Sequence, residues 1–310
     1  YKTFLINQVH DILPGSHITP VCRDAIADYK YIDSELDAII NENGNEYFNS
    51  LNFSRNSLTF IEDKNGDIVR LGKKGYYTIP GIPALTSASV KRKESTEKDW
   101  IKINGCHAET DIYEIDFNED GSISRIYDKK LHRNWIKGNF NKLHVFYDYP
   151  GVYDAWDILP NYKDKEETLN IVSPLSLVSV NSECAQFCTE LSTNRSSWKM
   201  IIRLFRDSRE IEVENIVDWN EKHRLAKAEF GCNVLTRKLL CDTSAGIIER
   251  ETHRNTTWQQ ARFEVCHHKW VDMAETDGGI ALINDSKYGV GLLENSMSLS
   301  LLRATVRPDV

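Results

Sequence analysis

The chain has 310 residues, of which 41% are hydrophobic and 27% charged, and its formal net charge is −8. This composition is typical of a soluble globular protein with a sizeable core, and interspersed charges do not form the basic face that nucleic-acid binding needs. No apolar run reaches the length of a membrane-spanning helix, so we expect neither nucleic acid nor membrane as a partner.

The first forty or so residues are predicted to be helical. Residues 3–9 are predicted to form one or two apolar helical turns, and Pro14-Gly15 then interrupts the helical pattern. Ser16 and Pro20 suit the start of a second helix. Its apolar residues recur every three or four positions as one stripe: Ile18, Val21, Cys22, Ala25, Ile26, Tyr29, Ile32, Leu36, Ile39 and Ile40. Asn43-Gly44-Asn45 should end the helix. Because the sequence opens inside a helical pattern, without Met or a signal peptide, we expect a fragment or a processed chain.

After Gly44 the pattern is typical of β structure. Lys64-Asn65-Gly66-Asp67 predicts a hairpin turn between residues 58–61 and 68–71. Loops and an edge strand are expected over 80–90, and the charged run 91–98 favours a solvated loop at a junction. Strands are then predicted at 113–117, 123–127, 143–147, 175–180, 198–206, 210–219, 228–234, 246–251, 260–267, 279–284 and 298–303. Many strands joined by short polar turns predict a large antiparallel sandwich.

His10 and Asp11 stand side by side before a Pro-Gly break. Imidazole is a common zinc ligand, and a carboxylate can accept hydrogen bonds from a hydroxylated ligand. One histidine cannot hold zinc, which needs three or four protein ligands. The pair is therefore either structural or one part of a site that has further parts elsewhere.

The segment 147–157 combines three tyrosines, Trp156 and the three aspartates Asp148, Asp154 and Asp157. Aromatic faces stack on sugar C–H groups and carboxylates accept bonds from sugar hydroxyls, so this mixture is typical of carbohydrate sites. The alternative is a loop whose aromatic side chains plug the end of the sandwich.

Two other sets of residues give weaker evidence for a functional site. His267 and His268 are adjacent, and on a strand they would point to opposite faces, which favours a core strand over a metal site. The seven cysteines are scattered, without a Cys-x-x-Cys pair. We expect mostly buried thiols and a reducing, cytoplasmic environment.

Three segments together resemble one known family. They are 7–16, the Asp154-Ala155-Trp156-Asp157 loop, and 263–272 followed by 280–289; residues 299–303 and 307–309 agree with them. The chain is similar to glycoside hydrolase family 38, the α-mannosidases of the cytosolic and bacterial type.

The resemblance implies a mainly β fold with a short helical part. Residues 1–43 correspond to the remnant of a three-helix middle domain, 44–106 to a small β domain, and 107–310 to an incomplete C-terminal β super-sandwich. It further implies a retaining, zinc-dependent enzyme whose N-terminal barrel supplies the nucleophile, the acid/base carboxylate and three zinc ligands. That barrel is missing here, so no catalytic residue is expected in this chain.

Site roles follow from the same resemblance. His10 corresponds to the fourth zinc ligand and Asp11 to an acceptor of sugar hydroxyls, while Trp156, Asp157 and Arg303 correspond to residues near the sugar. The implied partners are mannose-containing oligosaccharides and the missing barrel, and the fragment alone is expected to be inactive and not to hold zinc. Two alternatives stay open: a non-catalytic carbohydrate-binding module and a purely structural β-sandwich.

Overall fold

The computed structural model describes residues 1–42, 46–49, 52–53, 59–62, 68–71, 77–78, 83–89, 91–92 and 99–307. Within this part, strands dominate and helices are confined to the beginning and to two short turns. None of the described helices is both long and apolar enough to cross a membrane. The expected mainly β architecture is confirmed.

Two helices open the chain, α1 (Lys2–Ile6) and α2 (Thr19–Glu42). They are joined by side chains: Asn7 donates to Asp28 at 2.9 Å, and Gln8 donates to the Tyr29 hydroxyl at 3.2 Å. Pro20 lies in the first turn of α2, as predicted, where its missing N–H costs no helical hydrogen bond. The predicted end at 43–45 lies outside the described residues.

The apolar stripe of α2 is largely exposed. Ala25 is buried, whereas the side chains of Ile18, Ile26, Leu36 and Ile39 face solvent. The helical period was therefore predicted correctly, but the described residues do not cover its apolar face.

Six short strands follow: β1 (Glu46–Phe48), β2 (Thr59–Glu62), β3 (Ile68–Leu71), β4 (Tyr77–Thr78), β5 (Ser87–Ser89) and β6 (Lys91–Arg92). Strands β2 and β3 pair antiparallel, with Glu62 opposite Ile68, as expected for the predicted hairpin; the turn itself lies outside the described residues. Lys91 and Arg92 pair with β4, so the charged run begins as a strand and not as the predicted loop. The rest of that run is outside the described part.

The largest sheet has eleven strands, nine of them in the order β21-β24-β25-β18-β12-β10-β9-β8-β7, with β11 beside β10 and β13 beside β12. Its strands are β7 (Ile101–Asn104), β8 (His107–Thr110), β9 (Tyr113–Phe117), β10 (Ile123–Asp128), β11 (Arg133–Asn134), β12 (Ile136–Tyr147), β13 (Glu166–Glu167), β18 (Arg224–Cys232), β21 (Glu264–Cys266), β24 (Gly289–Leu293) and β25 (Ser296–Ala304).

Beside the eleven-stranded sheet, the region 99–307 contains two four-stranded sheets; a third, β2-β3-β4-β6, belongs to the preceding part of the chain. Of the two in this region, one has the order β14-β15-β16-β17 and the other β20-β19-β22-β23. Their strands are β14 (Asn170–Val180), β15 (Cys184–Ser192), β16 (Ser197–Phe205), β17 (Ile211–Asp218), β19 (Lys238–Thr243), β20 (Gly246–Glu251), β22 (Trp270–Glu275) and β23 (Gly278–Ile283). Side chains from all three sheets of the region 99–307, such as Ile115, Phe187 and Met273, form one continuous buried core.

The turn between β9 and β10 shows how the sheets approach each other. Gly121 has φ +81°, and a Cβ atom there would lie 2.8 Å from the Met200 sulfur and 2.8 Å from a Thr189 methyl carbon. Glycine is therefore required both by the backbone conformation and by the facing strands β15 and β16. The predicted turn at 119–122 is confirmed.

Residues 260–267 were predicted as a strand, and this is wrong at both ends. A short helix, α3 (Thr257–Ala261), precedes β21, and it begins with a capping box between Thr256 and Gln259. His267 and His268 lie in the break between β21 and β22, so they do not sit on one core strand. His267 is fully buried, and burial together with the neighbouring His268 lowers its pKa.

The seven cysteines are free thiols, but only Cys184, Cys232 and Cys241 are fully buried. Burial raises the pKa of Cys184 and Cys232 to about 12, so these thiols stay protonated and unreactive. Cys22, Cys106 and Cys188 are half-buried and Cys266 is exposed, so the expectation that most of the thiols are buried is wrong.

Candidate functional site

His10 and Asp11 lie in the turns between α1 and α2 and face solvent. Their side chains are 87% and 55% exposed, and His10 Nε2 is 3.4 Å from Asp11 Oδ2. Ser16 Oγ donates to Asp11 Oδ1 at 3.4 Å. Within the described part of the chain, no hydrogen bond or ion pair joins these two residues to the β sheets. The local turns therefore present both side chains without fixing them.

We tested whether the residues present suit a zinc ion. Among the described residues, no group of three or more His, Cys, Asp or Glu side chains is arranged to hold a metal. A zinc site needs three or four protein ligands, so His10 could supply only one of them. The described residues do not form a zinc site by themselves.

The second candidate region is the loop 148–161, here called the site loop, between β12 and the 3-10 helix Tyr162–Asp164. A buried carboxylate holds this loop in place. Asp154 is fully buried and accepts hydrogen bonds from the backbone N–H groups of Val306 at 2.8 Å and Arg307 at 3.0 Å. These bonds fasten the site loop to the chain that leaves β25.

A second buried carboxylate fastens the start of the site loop. Asp148 accepts a hydrogen bond from Arg303 Nε at 2.5 Å, and Arg303 Nη2 donates to the backbone oxygen of Asp157. Arg303 thus joins both ends of the 148–157 segment. Of the residues predicted from the sequence, Asp157 and Arg303 are joined here by a hydrogen bond, and Trp156 precedes Asp157 in the chain. His10 and Asp11 are not joined to them.

The aromatic side chains of the site loop point outward. Tyr153 is 64% exposed and Trp156 is 58% exposed, with ring centroids 6.5 Å apart in an edge-to-face arrangement. Tyr149 is half exposed and packs its ring on His223, centroid to centroid 4.5 Å. We call Tyr149, Tyr153 and Trp156 the aromatic surface. Because these rings are exposed, they do not plug the end of the sandwich.

Sequence reasoning missed the residues that support the site loop from below. On the sheet under the loop, the Lys227 side chain is fully buried and its Nζ lies 2.8 Å from both carboxylate oxygens of Glu264. Tyr162 donates its hydroxyl to Glu264 at 2.8 Å, and Lys227 also donates to Ser300 at 2.8 Å. A single lysine inside the apolar stretch of β18 was the available signal, because a buried lysine requires a partner.

Burial influences the protonation states of Tyr162 and Lys227 beside Glu264. Burial and then the Glu264 carboxylate raise the pKa of Tyr162, so its phenol stays protonated and remains a donor. Burial lowers the pKa of Lys227, and the ion pair with Glu264 opposes that shift. Gly291 leaves the room that this pair needs, since a Cβ atom there would lie 2.6 Å from Glu264 Oε1.

Comparisons with known proteins agree with this architecture. The sequence family described as "Glycosyl hydrolases family 38 C-terminal domain" matches residues 108–310. Alpha-mannosidase 2C1 of Homo sapiens is 27% identical over 337 residues, covering 100% of this chain and 31% of the human protein. Alpha-mannosidase of Saccharomyces cerevisiae is 26% identical, covering 100% of this chain and 29% of the yeast protein.

A solved structure shows the same fold. An alpha-mannosidase from Enterococcus faecalis superposes with a TM-score of 0.71 at 11% identity, covering 98% of this chain and 46% of that one. The chain spans about a third of the length of the curated relatives it matches. With the family match extending over strands β8 to β25, the chain belongs to glycosyl hydrolase family 38 and carries the C-terminal domain of that family.

Proposed function

We propose that this chain is the C-terminal part of a retaining, zinc-dependent α-mannosidase that removes terminal α-mannosyl residues from oligosaccharides. The observation that carries the proposal is the family match over residues 108–310, together with the two relatives named as alpha-mannosidases along the whole chain. The preformed site loop, with exposed aromatic rings and a free carboxylate, supports a sugar as the ligand.

In this proposal the chain binds and orients the sugar. Trp156 offers an exposed ring for stacking on the C–H face of a sugar. Arg303 bonds the backbone oxygen of Asp157 and not its side chain, which leaves the Asp157 carboxylate available for sugar hydroxyls. Arg303 holds this arrangement through its second bond, to the buried Asp148. Asp11 would accept further hydrogen bonds from sugar hydroxyls.

His10 would be one ligand of a zinc ion whose other ligands lie outside this chain. Bound zinc would supply a positive charge that holds and polarises sugar hydroxyls. We place the nucleophile and the acid/base carboxylate outside this chain as well. Retaining glycosidases hold those two carboxyl groups roughly 5 Å apart, and no residue of this chain is assigned to either role.

We also propose that the protein is cytoplasmic, in line with its free thiols.

The test compares the complete protein with the 310-residue chain. Purified complete protein should cleave p-nitrophenyl α-mannoside and leave p-nitrophenyl α-glucoside uncleaved, and the 310-residue chain should cleave neither. If the complete protein lacked mannosidase activity, the proposed function would be wrong. Cleavage by the 310-residue chain would show that the catalytic carboxylates had been placed in the wrong part of the protein.

The second candidate function is a non-catalytic carbohydrate-binding module. The exposed aromatic surface favours it over a purely structural sandwich, because grouped exposed apolar side chains are typical of binding surfaces. Calorimetry of the 310-residue chain with mannose oligosaccharides distinguishes these possibilities. Binding that Trp156→Ala abolishes would support the module, whereas the enzyme proposal expects only weak binding to a partial site.

A further inference from the structure

His144 bridges two carboxylates, one on β13 and one on β18. It lies on β12 with its side chain 14% exposed; Nδ1 is 2.7 Å from Glu166 Oε1, and Nε2 is 3.1 Å from Glu229 Oε2. The ring also stacks on Phe146, with centroids 5.5 Å apart. Both nitrogens therefore face acceptors, and the ring is held in one orientation.

This geometry requires a particular protonation state. A neutral imidazole has one N–H group, and its other nitrogen is an acceptor that cannot bond to a carboxylate oxygen. Only the imidazolium can donate to Glu166 and Glu229 together. Burial lowers the pKa of His144, but the hydrogen bonds with Glu229 and Glu166 outweigh it and raise the pKa above its ordinary value.

The other charges near His144 already have carboxylate partners. On the same strand, Lys142 pairs with Asp120 of the β9–β10 turn. On β18, Lys227 stands directly opposite His144 and is paired with Glu264. Beside Glu166 on β13, Glu167 is paired with Arg224. From the 3-10 helix, Tyr162 faces the same side of the sheet, and its pKa is raised so that it stays neutral.

Glu166 belongs to β13, the strand that follows the site loop and the 3-10 helix. Strand β13 follows the 3-10 helix and pairs with β12, with Glu166 opposite Phe146 and Glu167 opposite Val145. The pairing is only two residues long, so side-chain bonds carry a large share of the attachment. The bond from His144 to Glu166 therefore ties the segment that follows the site loop, beyond the 3-10 helix, to the central sheet.

We propose that His144 is a positioning residue whose protonated ring clamps β13, and with it the site loop, onto the sheet, and that loss of the proton releases the clamp. When pH rises through the titration of His144, one of the two carboxylates loses its donor. The site loop then opens locally more often, and the aromatic surface is held less firmly. The consequence for sugar binding rests on the proposed function, whereas the clamp itself does not.

The test measures His144 and the site loop in the same samples. Ring ¹⁵N NMR of the histidine-labelled protein gives the protonation state of His144 between pH 5.5 and 9. Hydrogen–deuterium exchange is measured for the amides of residues 148–167. The rates are expressed as protection factors, because dividing by the intrinsic exchange rate removes its dependence on pH. We expect both ring nitrogens to be protonated at pH 6, and protection to fall by roughly tenfold as His144 titrates, as expected for loss of one charged hydrogen bond.

Three variants separate the clamp from a general effect. His144→Gln should lower protection at every pH and remove the pH dependence, and Glu166→Gln, at a more exposed position, should do the same if His144→Gln fails to fold. His107→Gln is the matched control, because His107 Nδ1 lies 2.6 Å from Asp116 on strands remote from the site loop. It should behave as the wild type.

A neutral His144 ring at pH 6, or protection that stays constant across its titration, would overturn the proposal. An equal loss of the pH dependence in His107→Gln would also overturn it, because the effect would then be global. None of these measurements uses a sugar. A failure of the clamp is therefore distinguishable from a failure of the mannosidase proposal, which the hydrolysis assay decides.

Discussion

The two parts of the candidate site differ in what holds them. Asp148 and Asp154 are buried, and their bonds to Arg303 and to the backbone after β25 fix the site loop. The His10 side chain is 87% exposed, and its Nε2 lies near the carboxylate of the neighbouring Asp11. The chain's own contacts therefore organise the site loop, whereas the geometry of His10 is left to whatever it binds.

Because of this difference, we expect mutations in the two parts to affect different properties, namely stability in one and ligand binding in the other. Substitutions beneath the site loop should cost folding free energy, because they leave buried charges or donors without partners. Substitutions on the aromatic surface and at His10 should leave stability unchanged and alter binding alone. The following predictions test that division.

The largest effect is expected at the buried ion pair under the site loop. Lys227→Met leaves the Glu264 carboxylate without its cation and should lower the free energy of unfolding by about 3–5 kcal/mol. The matched control is Lys238→Met, which removes the exposed pair with Glu249 and should cost less than about 1 kcal/mol. Urea unfolding measures both. Equal costs would show that Lys227 is not buried with its partner.

Next in size is the carboxylate that fastens the site loop to the end of β25. Asp154→Ala removes the acceptor of two backbone N–H groups and should cost about 3 kcal/mol. Asp157→Ala is the control on the same loop, since only its backbone oxygen is bonded to Arg303, and it should cost less than about 0.5 kcal/mol. A similar cost for both aspartates would contradict the assigned roles.

The His144 bridge predicts a specific acid dependence. The hydrogen bond with His144 lowers the pKa of Glu229 to about 2, against the opposing effect of burial. A lowered folded pKa stabilises the protein above the unfolded value of about 4.3, and this contribution is lost as pH falls toward 2. Glu229→Gln should therefore be less stable than wild type at pH 6, with the gap narrowing below pH 4.3. A gap independent of pH would contradict the ionised bridge.

The smallest effect on stability is expected at the aromatic surface. Trp156→Ala should change the free energy of unfolding by less than about 0.5 kcal/mol but weaken sugar binding by about tenfold in the complete protein. Trp258→Ala is the matched control, because Trp258 is 78% exposed on α3. It should alter neither property. Unchanged sugar affinity in Trp156→Ala would remove Trp156 from the site.

Some of the strands were predictable because their patterns are local, whereas β15, β19, β22 and β24 were not predicted. Alternating apolar residues located β9, and Gly121 marked the turn into β10, since only glycine fits there. The prediction of one strand over 260–267 is wrong because the Thr256–Gln259 capping box starts helix α3 just before it. Helix initiation outweighed strand propensity at that point.

The sequence pointed to candidate site residues only where a motif names them. The loop composition pointed to Trp156 and Asp157 and the family resemblance added Arg303, and the structure joins Arg303 to the backbone of Asp157. The supports Lys227, Glu264 and Tyr162 come from β18, β21 and the 3-10 helix. Their meeting depends on strand order, which the sequence does not display.

The most direct test of the proposed site is the zinc content and mannosidase activity of the complete protein with His10→Ala. His17→Ala is the control, because His17 lies in the same connecting segment, where Nδ1 is 3.2 Å from the neighbouring Ile18 oxygen. We expect His10→Ala to lose bound zinc and at least roughly 100-fold in kcat/KM, with its stability and the His17→Ala variant unchanged. Full zinc occupancy and normal turnover in His10→Ala would contradict the account.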